Sequence, residues 1–156
     1  MLFDIRDEEL VIYNYNTNFK MKLVKDKINH FTLNGHTFRK YDKDTIAGVP
    51  FASGFYDVLH QGSVNLIVKR IKMITESATQ NGLTGEYLSN TKFFIQKNGR
   101  YYPVKNKRSV LKVLAVNKSL LQRQLRADKI KYRKNREEAI HKLVQYYDAN
   151  LKKEAI

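Results

Sequence analysis

Four histidines and fifteen acidic side chains are the residues through which this chain could move protons or hold a metal ion. His30 and His36 stand symmetrically about Asn34-Gly35 and could share one face or edge of a hairpin, while His60 and His141 lie far downstream. A metal held by two histidines needs a third ligand and supporting outer contacts, for which Asp26 and Asp57 are the carboxylates to consider. No His-x-His or His-Glu-x-x-His spacing occurs, so surface or hydrogen-bonded strand histidines are expected, with no metal and no cofactor. Paired-carboxylate catalysis needs two acids brought together in a cleft, and neither Asp42 with Asp44 nor the cluster Asp7-Glu8-Glu9 points to one. The N-terminal acids are instead expected to balance the basic end of the chain, a weak and screened attraction. Ser53-Gly54 and Gly62-Ser63 lack a G-x-S-x-G elbow, and no phosphate-cradling glycine loop is present. With no cysteine either, thiolate chemistry and disulfides are excluded. The chain reads as a non-enzyme without catalytic residues.

Charge is the feature that stands out. Between Lys105 and Arg136 there are twelve lysines and arginines and a single acid, Asp128, in a chain whose whole net charge is +14. Such a field attracts an acidic protein, an anionic surface or nucleic acid. One reading makes Arg123, Arg126, Lys129, Lys131, Arg133 and Lys134 a phosphate-contacting surface, with the Tyr132 ring available for stacking. The other makes them the wet face of ordinary surface helices. The second is favoured here, because no helix-turn-helix, zinc-finger or RNA-recognition signature accompanies the charge.

The elements that must position these groups follow from pattern. At 156 residues and 42% hydrophobic, the chain suits one domain over residues 1–156, mostly β over 1–104 and helical and basic over 105–156. Leu10–Tyr15 and Phe19–Val24 are β-rich, and Phe19-Lys20-Met21-Lys22-Leu23 alternates as a half-wet strand does. Asn34-Gly35 and Asn98-Gly99 each divide two β-rich runs and predict type I′ hairpins. A third hairpin turns near Gln61-Gly62, between Phe55–Leu59 and Ser63–Val68. Asp42–Gly54 and Thr75–Asn90 read as loops, the second long enough to be mobile. After Pro103 the period becomes helical: Ser109 caps a first helix, Leu120, Leu121 and Leu125 mark a second, and Asn135 with Glu138 opens a third carrying Ile140, Leu143, Val144, Tyr147 and Leu151. The fold class expected is α+β, an antiparallel meander of about six strands followed by three C-terminal helices packed on it. Adjacent aromatics such as Phe55-Tyr56 place one ring on each sheet face; helices are expected to cover the face of Tyr56, Phe94 and Tyr101. The longest apolar run, Leu66-Ile67-Val68, meets Lys69-Arg70 at once, so no transmembrane helix is predicted. The acidic start, Met1 to Glu9, is not a signal peptide.

The order Ile28–Phe38, Gly54-Phe55-Tyr56-Asp57-Val58-Leu59, Gly62-Ser63-Val64-Asn65-Leu66 and Tyr101-Tyr102-Pro103-Val104-Lys105 resembles a group of uncharacterised exported proteins of Bacteroidetes. The resemblance extends over roughly residues 10–150 as an order of elements. It implies an extracytoplasmic location and no particular activity, so no site residue carries over. A departure from that pattern is expected at the N-terminus, in the leader and an N-terminal strand pair. The reading that results is a non-enzymatic binding or structural module of unknown ligand. The alternative is a nucleic-acid-binding protein using the basic segment 105–136.

Overall fold

The computed structural model describes residues 1–42, 52–79, 82–115 and 118–154. Three short strands, β1 (Leu2–Asp4), β2 (Glu9–Asn14) and β3 (Phe19–Lys22), form one antiparallel sheet in that order. A second sheet runs β4 (His30–Leu33), β5 (His36–Tyr41), β6 (Gly54–His60), β7 (Asn65–Thr79), β8 (Gly82–Lys97) and β9 (Arg100–Val104), each strand antiparallel to the next. Helices α1 (Lys107–Leu114), α2 (Lys118–Ala127) and α3 (Arg136–Glu154) follow. The architecture is α+β, with two sheets rather than one. The N-terminal strands stand apart because Leu10 packs face-on with Phe31, Phe38 and Phe55, and Phe3 and Leu23 join it. Burying those rings under a second layer removes more apolar area than an edge pairing would.

Both Asn-Gly turns adopt the backbone the sequence predicts, with positive φ at Asn34 (51°), Gly35 (78°), Asn98 (52°) and Gly99 (73°). Pro103 sits in β9, the last strand of its sheet, where its missing N–H deprives no neighbour.

The stretch Thr75–Asn90, expected as a loop, is the outer half of the β7–β8 hairpin, whose register runs unbroken from Asn65↔Gln96 to Thr79↔Gly82. Its polar composition reflects water on both faces, so the period-2 signal of one-sided burial is absent. Most of the expected loop from Asp42 to Gly54 lies outside the described residues.

Register sorts the main sheet into two faces. Leu66, Val68, Phe93, Ile95 and Val104 pack with Val110, Leu114, Leu125, Ile140, Leu143 and Val144 of the helices. The third helix therefore buries the stripe its sequence predicts. The side chains of Leu120, Leu121 and Leu151 lie outside the described residues. Tyr56, Ile67, Phe94 and Tyr101 form a separate cluster on the opposite face. The expectation that helices cover these rings is wrong. The sheet curls, bringing Tyr41 of β5 to 6.1 Å from Tyr101 of β9, ring to ring. Concave burial replaces helical cover.

Capping also differs at α1. Asn106, not Ser109, is the N-cap: its side chain accepts the Ser109 N–H at 2.9 Å, and the Ser109 hydroxyl accepts the Asn106 N–H at 3.1 Å. Ser109 is thus the reciprocal member of a capping box. At the other end Lys97 donates to the carbonyls of Val113 and Leu114, both at 3.3 Å, placing a cation where the helix dipole favours one. The same ammonium lies 4.8 Å from the Tyr147 ring centre, so one lysine joins β8, α1 and α3.

Candidate functional site: the basic connector and the charged cleft

Arg123 and Arg126 lie on α2, and Lys129, Lys131, Arg133 and Lys134 follow in the connector to α3; all six are exposed. None forms an ion pair among the described residues. Five acids are engaged elsewhere: Asp7 with Arg6, Glu9 with Lys22, Glu8 with Lys25 and Lys69, Asp26 with Lys40, and Glu137 with Arg70. The expected balance between N-terminal acids and the basic end is therefore not realised. Each of those acids takes a cation close to it in the fold, where charges meet within hydrogen-bond range rather than across a Debye length.

Tyr132 does not offer its ring for stacking. It is half-buried against the helix-covered core, and burial pushes its phenol up to about 12. Its buried hydroxyl has no hydrogen-bond partner among the described residues. A pocket of about 210 Å³ lies beside it, lined also by Lys107, Gln122, Leu125, Arg126 and Ile130. Two cations and an unsatisfied hydroxyl thus border one hollow next to the connector.

His30 and His36 do not converge. In the β4–β5 register His36 stands opposite Leu33 and His30 opposite Arg39, which puts the two on opposite faces. No cluster of three metal-binding side chains occurs among the described residues. Asp26 goes to Lys40 at 3.1 Å. Asp57 does meet a histidine, but in an ion-pair chain. Its side chain is 0% exposed and its Oδ2 receives His36 Nδ1 at 2.8 Å and Arg70 Nη2 at 2.5 Å. Arg70 continues to both Glu137 oxygens, at 3.0 and 2.9 Å. Burial alone would lower the guanidinium's value, but its bonds to Glu137 and Asp57 outweigh that and raise it. A cleft of about 710 Å³ opens here, with His36, Thr91, Phe93, Glu137 and His141 in its walls. An aspartate behind a histidine is also the orienting half of a nucleophile-activating pair. Here the same carboxylate oxygen is shared with Arg70, and the chain as a whole ties α3 to β5, β6 and β7.

A second buried acid, Asp148 of α3, accepts the Ser63 N–H at 2.8 Å and lies 3.2 Å from His60 Nε2. A Cβ on Gly62 would run into its carboxylate. His141 sits 6.2 Å from His60, ring centre to ring centre. Burial holds its imidazole below the usual histidine value. The His60 and Lys142 charges add to this, while Glu137 and the Leu59 backbone offset part. Glu8 is the third such centre, bonded to Lys25 at 2.6 Å, to Lys69 and to the Phe55 N–H at 3.2 Å. Burial would raise its carboxyl, yet the two lysines hold it below the ordinary range. Lys69 is itself lowered by burial despite Glu8.

The sequence carried one overlooked sign of this network. Asp57 interrupts the apolar run Phe55–Leu59, and an acid in a strand buried on both faces must have a partner. Arg70 could be found only from the β6–β7 register.

These features define an α+β protein of two antiparallel sheets and three C-terminal helices, with its buried acids paired to basic side chains and a cationic connector outside. Comparison with protein-family models, curated proteins and solved structures found no match for the chain. No helix among the described residues is long and apolar enough to cross a membrane.

Proposed function

We propose that this protein is a non-enzymatic binding module that presents Arg123, Arg126, Lys129, Lys131, Arg133 and Lys134 to an anionic ligand. On this reading the curled six-strand meander and the helices packed on it are the platform that holds the connector in place. The observation that carries it is the uncompensated state of these cations among the described residues, while Asp7, Glu8, Glu9, Asp26 and Glu137 pair with other cations. Six mutually repelling charges within twelve residues favour a ligand that neutralises them. The bordering pocket, with Lys107, Arg126 and the unpaired Tyr132 hydroxyl, offers room for one anionic group. The engagement of Asp57, Glu137 and Asp148 with basic side chains supports a binding rather than a catalytic role.

Nucleic acid is the form of this reading that the regular spacing of backbone phosphates favours. Binding of labelled single-stranded and duplex nucleic acid, followed by fluorescence anisotropy, is expected to weaken steeply as salt rises. Reversal of Arg123, Arg126, Arg133 and Lys134 to Glu is expected to abolish it while circular dichroism is unchanged. Binding retained by that variant overturns the proposal. Heparin and polyglutamate as competitors separate nucleic acid from other polyanions. The resemblance to exported proteins of Bacteroidetes supports an extracytoplasmic setting, which fractionation of the native cells tests.

A further inference from the structure

The β7–β8 hairpin runs far beyond the strands that flank it. The last β6 pair is Asp57↔Val68 and the last β9 pair is Phe93↔Val104, yet β7 and β8 stay paired out to Thr79↔Gly82. The overhang reaches ~35 Å at ~3.3 Å per residue. Among the described residues neither edge of this arm has a third strand. A two-stranded ribbon is marginal in water on its own, and an open edge is normally blunted by lysine, proline or a bulge. From Met73 to Asn90 there is no Lys, Arg or Pro, and the register shows no bulge. The arm also carries exposed apolar pairs at one height: Met73 opposite Leu88 on one face and Ile74 opposite Tyr87 on the other.

We infer that this arm pairs with the same arm of a second copy, β7 against β7, about a two-fold axis at Ile74. The charges select that occupant and that register. Lys72 and Glu76 stand two residues either side of Ile74, on the same face and both exposed. Neither forms an ion pair among the described residues. Antiparallel pairing centred on Ile74 sets Lys72 against Glu76 of the second copy twice over, with the two Ile74 side chains touching between them. Parallel pairing sets lysine on lysine and glutamate on glutamate, which repels. The β8 edge has no such palindrome: about Leu88, Glu86 would face Asn90. The product is a four-stranded antiparallel sheet, β8-β7-β7-β8, that ends the exposure of the inner edges and extends the Ile74–Tyr87 pair into one continuous apolar row. The contact is isologous and closes at two copies.

The proposal is independent of the anionic surface and is tested apart from it. Sedimentation velocity over a concentration series is expected to show a monomer–dimer equilibrium for the wild-type chain. K72E and E76K each place like charges at both contacts and are expected to weaken dimerisation by about tenfold. The double swap K72E/E76K is expected to recover it, and an equimolar mixture of the two single variants is expected to form the heterodimer in preference to either homodimer. The chain has no cysteine, so I74C supplies the sole thiol, expected at the axis within reach of its twin. Mild oxidation should link I74C, and not L88C, into dimers. A wild-type chain monomeric at all concentrations, a dimer indifferent to the charge swaps, or preferential linking through L88C overturns the inference. The mixing and cross-linking arms report on the register even where one variant loosens the arm.

Discussion

The inner and outer halves of β7 and β8 share one register and one backbone geometry, yet they live in opposite surroundings. Leu66, Val68, Phe93 and Ile95, on the inner half, are 0–3% exposed beneath α1 and α3, whereas Met73, Ile74, Tyr87 and Leu88, on the outer half, are 40–67% exposed. Strand pairing is therefore not what makes the body solid. Net hydrogen bonding contributes modestly per bond, because water offers the same bonds to the open chain. The layer pressed on the strands supplies the rest. The body has three such layers: the helices on one face, the N-terminal sheet over Phe31, Phe38 and Phe55, and the curl that encloses Tyr56 and Phe94.

The largest effect expected from this contrast comes from truncating an aliphatic side chain of the same size on either side of the boundary. Leu66→Ala removes a fully buried side chain against α3 and is expected to cost about 3 kcal/mol, lowering the urea midpoint. Ile74→Ala, eight residues along the same strand, is expected to stay within about 0.5 kcal/mol in the monomer. Comparable losses at the two positions would break the distinction between a packed and an unpacked half.

Next in size is the ion-pair chain that fastens α3 to the sheet. Asp57 is wholly inside, and Arg70 is the link that carries its charge onward to Glu137. Arg70→Met keeps the stem's packing but strands a buried carboxylate, at a cost of about 3 kcal/mol. The His36 bond and the partial exposure of Arg70 reduce rather than reverse this. Changing Asp57 and Arg70 together to Asn and Met is expected to cost less than Arg70→Met alone, because no unpaired charge is then left behind. A double variant at least as damaged as the single one contradicts that account. The arm, whose Lys72 and Glu76 are in water, should show no comparable coupling within one chain.

How much of this was legible beforehand varies with the kind of information each element carries. The Asn-Gly hairpins and the α3 stripe could be read directly, because a positive φ pair and a 3.6-residue period are local properties of a few residues. The arm could not. Thr75 to Asn90 has the composition of a loop, and only the pairing started by Leu66↔Ile95 shows that it continues as a strand. The curl was equally hidden, since Tyr41 and Tyr101 are sixty residues apart and meet through the sum of strand twists. Among the site residues, the six cations of α2 and the connector lie outside in water as their sequence implies. The ring of Tyr132 went the other way, because its neighbours Leu125 and Ile130 turn it toward the helix core. Asp57 with Arg70 depended on register, which no single segment encodes.

The smallest effect separates the two regions by acidity. His141 is held below its ordinary value by burial, with His60 and Lys142 adding to the shift and Glu137 and the Leu59 backbone opposing it. A folded value below the unfolded one means the unfolded chain takes up the proton first. Stability from this site is then whole above the unfolded value of about 6.5 and drains away as pH falls through the folded one. The arm contains no histidine. On acidification from neutrality toward pH ~5.5, amide exchange should quicken around His141 and Leu59 relative to Met73 and Ile74, once the intrinsic pH dependence is removed. His141→Gln should flatten that response without moving the arm. If the body's pH dependence survives the substitution, His141 is not the group that takes up the proton.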